Sequence, residues 1–345
     1  MARRTIDQLY ALTIPEVQKV FLNVMQDVVD SAILSEMVAA IEAGDAEALF
    51  RATGFTPASL GPILDRIEKS YSDGAELTVE GWPRPIRTPT GLTVFRFDMR
   101  NPIAEQDLKQ FSSGFVTRLT DEARNNVRTT LEQGMIRGQN PRKTALDIVG
   151  RIDPKTKKRV GGIIGLNEAQ VGWVDSTRRR LEQLDKSYFK LTLRDKRFDA
   201  TVRNAIESGK PIPTDTIDKL ITSYKKNALR YRGQAVARTE TIQSINRGAQ
   251  SAYIQAVGDG TLQRKALTKE WDDVGGSLTR TTHSSMGKTY GKGKGIDLEE
   301  PFVSPSGDRL MHPGDSKLGA GPAEIVFCRC KTVYRVDWVE NARQL

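Results

Sequence analysis

From Ile217 to Tyr253 apolar residues return at helical spacing over more than thirty positions. Ile217, Leu220, Ile221, Tyr224, Ala228, Ala235, Ile242, Ile245, Ala249 and Tyr253 carry the pattern, Pro211 and Pro213 precede it, and nothing stops it clearly before Gly258. One unbroken helix over 215–258 would run about 60 Å at roughly 1.5 Å per residue. Such an element excludes an all-β fold. It suits a spine or an interface better than a globular core, because its apolar stripe exceeds what one small domain can cover. Part of the stripe, including Ile217, Leu220, Ile221 and Tyr224, therefore needs other helices of the chain or a partner to bury it.

Upstream the chain reads as further helices. Thr13 and Ile14 lead into Pro15, suited to a first helical position, and Val17, Phe21, Val24 and Val28 follow at helical spacing until a break before Gly44. Thr56 and Pro57 repeat the device, with Leu60, Ile63, Ile67 and Tyr71 forming a stripe that fades near Gly74. Pro85, Pro89 and Gly91 then break helices, and Phe95, Phe97 and Met99 alternate with Arg96, Asp98 and Arg100, which predicts a short two-faced strand. Leu119, Ala123, Val127, Leu131 and Met135 predict a helix ending at Gly138, and Asn140 with Pro141 restarts one that stops at Gly150. The stretch Asp153–Gly165 reads as an exposed basic loop, and a further helix runs through Val171, Val174 and Leu184. After Gly260 the texture becomes rich in Gly, Thr and Ser, with strand-like pieces at Lys265–Trp271, Pro301–Val303 and Thr332–Val336. The expected fold is mainly α with a small C-terminal α+β domain. Its segments are a helical region over 1–82, a β segment over 83–101, a basic helical region over 102–214, the long helix over 215–258 and the α+β domain over 259–345.

The 345 residues, 38% of them apolar, suffice for two or three compact units. Uninterrupted apolar stretches such as Met37–Ile41 fall far short of the roughly 18 residues that span a bilayer, and the basic start Met1–Arg4 is followed by no apolar signal core. No membrane segment is expected. The net charge of +9 is unevenly placed: residues 142–238 hold 23 Lys and Arg against 11 Asp and Glu, whereas 1–141 hold 15 against 19 and 239–345 hold 14 against 13. A concentrated basic excess favours a polyanionic partner through counterion release, and its candidate contacts are Lys155, Lys157, Lys158, Arg159, Arg178, Arg179 and Arg180. The bland alternative is a solvated helical surface.

All the histidines and cysteines, His283, His312, Cys328 and Cys330, fall in the last 63 residues. Imidazoles and thiolates are zinc ligands, and four of them would complete a structural site. The single residue between the cysteines is shorter than the gap of common zinc modules and makes a disulfide between them strained, so buried free thiols packing as small apolar groups stand as the alternative. Gly287, Lys288 and Thr289 resemble the end of a phosphate-binding loop, but Thr282 occupies the position of its required glycine. The run Gly287, Gly291, Gly293 and Gly295 with Lys288, Lys292 and Lys294 reads instead as a flexible basic loop. Ser284 and Ser285 lack a nucleophile-elbow pattern, and the neighbouring acids Asp272 with Asp273 and Glu299 with Glu300 read as loop or cap residues.

One ordered series ties these pieces together. Ala237-Arg238-Thr239-Glu240-Thr241 with Asn246, then Trp271, Asp272 and Asp273, Arg280, Thr282, His283, Gly287, Pro301-Phe302, Gly307, Leu310, Pro313-Gly314-Asp315 and Cys328-Arg329-Cys330 resembles the phage head morphogenesis family of minor head proteins, among them the F protein of phage Mu and the minor head protein of phage SPP1. The resemblance covers roughly residues 235–335. It implies a virion component without catalytic role, present in few copies in the capsid interior near the portal vertex and in the host cytoplasm during assembly. It further implies binding to the portal protein, contact with the major capsid or scaffold protein, and association with packaged double-stranded DNA. His312 stands where the family has an aromatic residue, which leaves His283, Cys328 and Cys330 as the set for a structural zinc. Family members joined to toxin-like modules imply a rival, a zinc- or cysteine-dependent activity in the C-terminal domain, and the lack of an extra domain after Val336 weighs against it.

Overall fold

The computed structural model describes residues 4–343; Met1–Arg3 of the basic start lie outside the described residues. Helices α1 (Ile6–Ser31), α2 (Leu34–Glu42), α3 (Ala46–Ala52) and α4 (Gly61–Val79) precede a hairpin of β1 (Ile86–Thr88) and β2 (Gly91–Thr93). Next come α5 (Pro102–Ile136), α6 (Pro141–Val149), a two-residue ladder of β3 (Arg151–Ile152) with β4 (Arg159–Val160), α7 (Glu168–Glu182), α8 (Asp199–Ser208) and α9 (Thr214–Gly258). The chain closes with β5 (Leu267–Asp272), α10 (Thr281–Tyr290), β6 (Phe302–Val303), β7 (Arg309–Leu310), α11 (Pro322–Ile325), β8 (Lys331–Val336) and α12 (Trp338–Asn341). The protein is mainly α with a small C-terminal α+β region, as the sequence predicts. None of the described helices is long and apolar enough to cross a membrane.

Contacts divide the chain into two compact units, a first of residues 1–18, 63–112 and 234–345, and a second of residues 19–62 and 113–233. In the second unit α2 packs on α3 and α6. Asn140 caps α6 by accepting a hydrogen bond from Arg142 N, Pro141 opens it, and Gly150 ends it at a positive φ where a Cβ would lie 2.5 Å from Val160 O. Ile217, Leu220, Ile221 and Tyr224 of α9 are buried within this unit. Gln170 Nε2 donates to Ala228 O, Arg178 pairs with Asp218, and Lys225 Nζ donates to Asp147 O. The apolar surface at this end of the long helix is thus covered by the chain itself. The stretch expected as a plain basic loop carries the β3–β4 ladder, whose turn uses Lys157 in the left-handed region.

In the first unit the remainder of α9 is buried nearly all round although many of its residues are polar. Burial is tolerated because those groups find partners: Asn246 Nδ2 donates to Tyr10 Oη, its Oδ1 accepts from Thr332 N, and Gln255 bonds both Asp98 N and Asp98 O. Helix α4 crosses α9 closely. A Cβ at Gly74 would sit 2.3 Å from Ile245 O, and one at Gly248 would sit 1.9 Å from Tyr71 O. The expectation that the apolar stripe of this helix fades near Gly74 is therefore corrected: the glycine marks a contact, and the buried face goes on through Ala75 to Val79.

Two further expectations change. Helix α1 starts at Ile6 and carries Pro15 in its interior, because Leu9 and Tyr10 pack on Ile242 and Ile245 and so extend the helix past a residue that usually opens one. The strand expected at Phe95–Met99 is absent among the described residues. The ladder forms at β1–β2, and Phe95 turns inward onto Trp82 with ring centroids 5.1 Å apart. Strands β5 and β8 pair antiparallel with Leu267 opposite Val336 and Asp272 opposite Lys331. One face of this region packs a core of Trp271, Met286, Phe302, Leu310, Ala320, Ile325, Cys328 and Cys330.

Candidate functional site

His283, Cys328 and Cys330 converge at that core. Strand β5 supplies Trp271, α10 presents His283, and the short segment before β8 carries Cys328 and Cys330. Despite the one-residue gap between them, both thiols face the same imidazole nitrogen. His283 Nδ1 lies 3.5 Å from Cys328 Sγ and 3.3 Å from Cys330 Sγ, and the ligand atoms of all three residues lie within 4.8 Å of one another. Exposures of 1% for His283, 3% for Cys328 and 1% for Cys330 close the group to solvent.

The other imidazole nitrogen, Nε2, lies 2.8 Å from Glu324 Oε2, within hydrogen-bond distance though out of line. Glu324 is itself held by Thr282 Oγ1, which donates to Oε2 at 3.0 Å, and by Ser306 Oγ, which donates to Oε1 at 2.9 Å. Trp271 meets the His283 ring edge-on at 5.1 Å, and its indole N–H favours the ionised form of Cys330 beside it. The two thiols titrate together. Hydrogen bonding with Cys330 holds Cys328 well below the usual thiol range, and Cys328 together with burial pushes Cys330 up. The group thus offers two sulfurs and a nitrogen to a metal ion, with a carboxylate behind the imidazole as metal-bound histidines usually have.

His312 is not part of this group. It is buried, its Nδ1 lies 3.1 Å from Pro313 O, and burial, opposed by the Asp315 charge, lowers its pKa. It lines a separate cleft of about 410 Å³ with Arg247, whose guanidinium lies 3.4 Å from Asp107 and stacks over Phe111. Sequence reasoning does not find Glu324, Ser306 and Trp271 as parts of a metal group. Only their contacts assign them there, and Glu324 stands 42 positions from Thr282 in sequence.

The basic candidates divide by what their charges already meet. Lys155, Lys157 and Lys158 are exposed on the turn between β3 and β4, which Asp153 Oδ1 braces by accepting from Lys155 N and Thr156 N. Arg159 is half-buried, with its N donating to Asp30 Oδ1 and its Nη1 to Gly150 O. Arg178 Nη2 lies 2.6 Å from Asp218 Oδ1 with the side chain 15% exposed, so its charge is engaged within the unit. Arg179 is 65% exposed and 3.8 Å from Asp175, and Arg180 is half-buried. The glycine and lysine run expected as one flexible loop begins in regular structure. Gly287, Lys288 and Thr289 lie in α10, where a Cβ at position 287 would meet Asp273 Cγ at 2.9 Å. Asp273, just past β5, accepts a hydrogen bond from Gly275 N, whereas Asp272, expected in a loop, ends β5 and accepts from Val274 N.

No family model matches the sequence, and neither the curated proteins nor the solved structures offer a match.

Proposed function

We propose that this chain is a minor head protein of a phage particle, seated in the capsid interior at the portal vertex and touching packaged double-stranded DNA through its second unit. One observation carries the reading. The residues that mark the resemblance are scattered along the sequence, yet Trp271, His283, Phe302, Leu310, Cys328 and Cys330 meet in one buried core, and Asn246 binds the start of β8. That these residues share one core supports reading the ordered series as one unit. The DNA contact is supported by Lys155, Lys157 and Lys158, which stand exposed on one turn. The portal is the partner that the resemblance names, with the major capsid or scaffold protein beside it during assembly in the host cytoplasm.

The enzymatic alternative has less support. A catalytic zinc keeps a position open to substrate, whereas His283, Cys328 and Cys330 are closed off and Glu324 is engaged by His283, Thr282 and Ser306. Zinc at this group is therefore assigned a structural role.

Mass analysis of purified particles and of their empty precursors tests the head role, which is abandoned if the chain is absent from both. The isolated protein is expected to bind duplex DNA without sequence preference. Replacing Lys155, Lys157 and Lys158 by Ala should reduce the slope of log K against log salt by about 2.7, at roughly 0.9 for each phosphate no longer neutralised. Lack of affinity at about 50 mM salt, where such interactions are strong, removes the DNA role.

A further inference from the structure

We propose that His283 Nδ1, Cys328 Sγ and Cys330 Sγ bind one zinc ion, with Glu324 as the carboxylate that orients the imidazole, and that the ion fastens α10 to the lead-in of β8. The inference rests on the structural role assigned to this group and not on the particle role.

Distances carry it first. A tetrahedral zinc with Zn–S of about 2.3 Å and Zn–N of about 2.0 Å sets its nitrogen and sulfur donors about 3.5 Å apart. His283 Nδ1 already stands 3.5 Å and 3.3 Å from the two sulfurs, so an ion can be bound with little movement of the chain. Chemistry narrows the ion. Two sulfurs and an imidazole exclude the oxygen-seeking calcium and magnesium and suit zinc.

Charge and ring orientation agree. Two thiolates and a neutral imidazole around Zn²⁺ make a group of zero net charge, the form least costly to bury among Trp271, Met286, Phe302 and Leu310. The thiol protons leave to solvent as the ion binds. Glu324 Oε2 stands 2.8 Å from Nε2, on the side of the ring away from the sulfurs, and Nδ1 faces the sulfurs. Thr282 and Ser306 hold Glu324 in place, so the segment between His283 and Cys328 is tied to the site at its middle as well as its ends. Three protein donors leave one position inside a group closed to solvent, where no substrate reaches it.

The test uses the full chain, freed of metal under reducing conditions and then titrated with zinc against a chromogenic chelator. One zinc per chain should bind, and cobalt(II) in place of zinc should give thiolate-to-metal charge-transfer absorption. Cys328→Ser and Cys330→Ser should each lose tight binding. Glu324→Gln should keep the stoichiometry and lose about 10- to 100-fold in affinity, the usual effect of removing such a partner. Folded wild-type protein that takes no zinc from the chelator would overturn the proposal, and that measurement needs no variant that folds. Binding of copper(I) without binding of zinc would overturn the choice of ion. Absence of the chain from particles leaves the zinc result untouched, so the two readings fail separately.

Discussion

Gly248→Ala adds one methyl group at the closest point of the α4–α9 crossing. Its Cβ would lie 1.9 Å from Tyr71 O, 2.8 Å from Tyr71 C and 3.2 Å from Ala75 N, all of them backbone atoms that no rotamer change can move aside. Helix α4 must therefore shift by more than 1 Å, and Ile63, Ile67, Tyr71 and Ala75, each no more than 1% exposed, shift with it. Alanine in a helix interior contributes up to about 1 kcal/mol over glycine, while forced overpacking costs about 1–3 kcal/mol. The clash is with backbone, which puts the cost at the upper end and the net loss at about 2 kcal/mol. For a cooperative unit of this size that is a fall of about 4–8 °C in Tm. The same substitution at Gly172, inside α7 with nothing within 4 Å of its Cβ, should raise stability by about 0.5–1 kcal/mol. Urea titrations followed by far-ultraviolet circular dichroism, with Tm as a second readout, measure both variants. A Gly248→Ala protein as stable as the parent would show that the crossing is looser than these distances require.

Lys269 is fully buried, its Nζ donates to Met311 O at 3.0 Å and sits over the Phe302 ring, and burial lowers its pKa to about 8. Below pH 8 it is charged in both folded and unfolded chains and the cost of burying the charge is fully present; between about 8 and 10.4 the unfolded chain holds a proton that the folded one lacks, so stability from this group rises with pH. Lys269→Met should therefore stabilise the protein by up to about 3 kcal/mol at pH 7 and by much less near pH 10, and equal gains at both pH values would refute the buried-charge account. Arg178→Ala should cost about 1.5–3 kcal/mol by leaving Asp218 with only its longer contacts to Lys143 and Arg151, while leaving the salt dependence of DNA binding unchanged. Arg179→Ala should do the reverse, and an Arg178 variant of parental stability would reopen that residue as a surface contact.

What was legible in the sequence is what neighbours along the chain decide. The 45-residue helix α9 follows from apolar residues recurring every three or four positions, and the start and end of α6 from Asn140, Pro141 and Gly150, because caps and stripes act over one turn of backbone. The basic excess of residues 142–238 and the gathering of His283, Cys328 and Cys330 near the C-terminus could be counted directly. Glu324 could not be found that way: a carboxylate looks the same in sequence whether it is solvated or backs an imidazole, and its partners at Thr282 and Ser306 belong to other segments.

Tertiary contacts decided the rest. Gly74 reads locally as the place where an apolar stripe fades but is a point where α9 approaches, and Pro15 reads as a helix start but lies inside α1 because Leu9 and Tyr10 find a surface beyond it. Neighbouring Arg178 and Arg179 are indistinguishable by sequence, yet one charge is engaged by Asp218, 40 residues away, and the other stands in solvent. The one-residue gap between Cys328 and Cys330 acquires a meaning only once both sulfurs are seen to face His283. A residue's tendency to form a turn or a helix is set by its own backbone and side chain. Whether its charge, its thiol or its missing Cβ is used depends on which distant atoms the fold brings within about 4 Å, where these short-range interactions act.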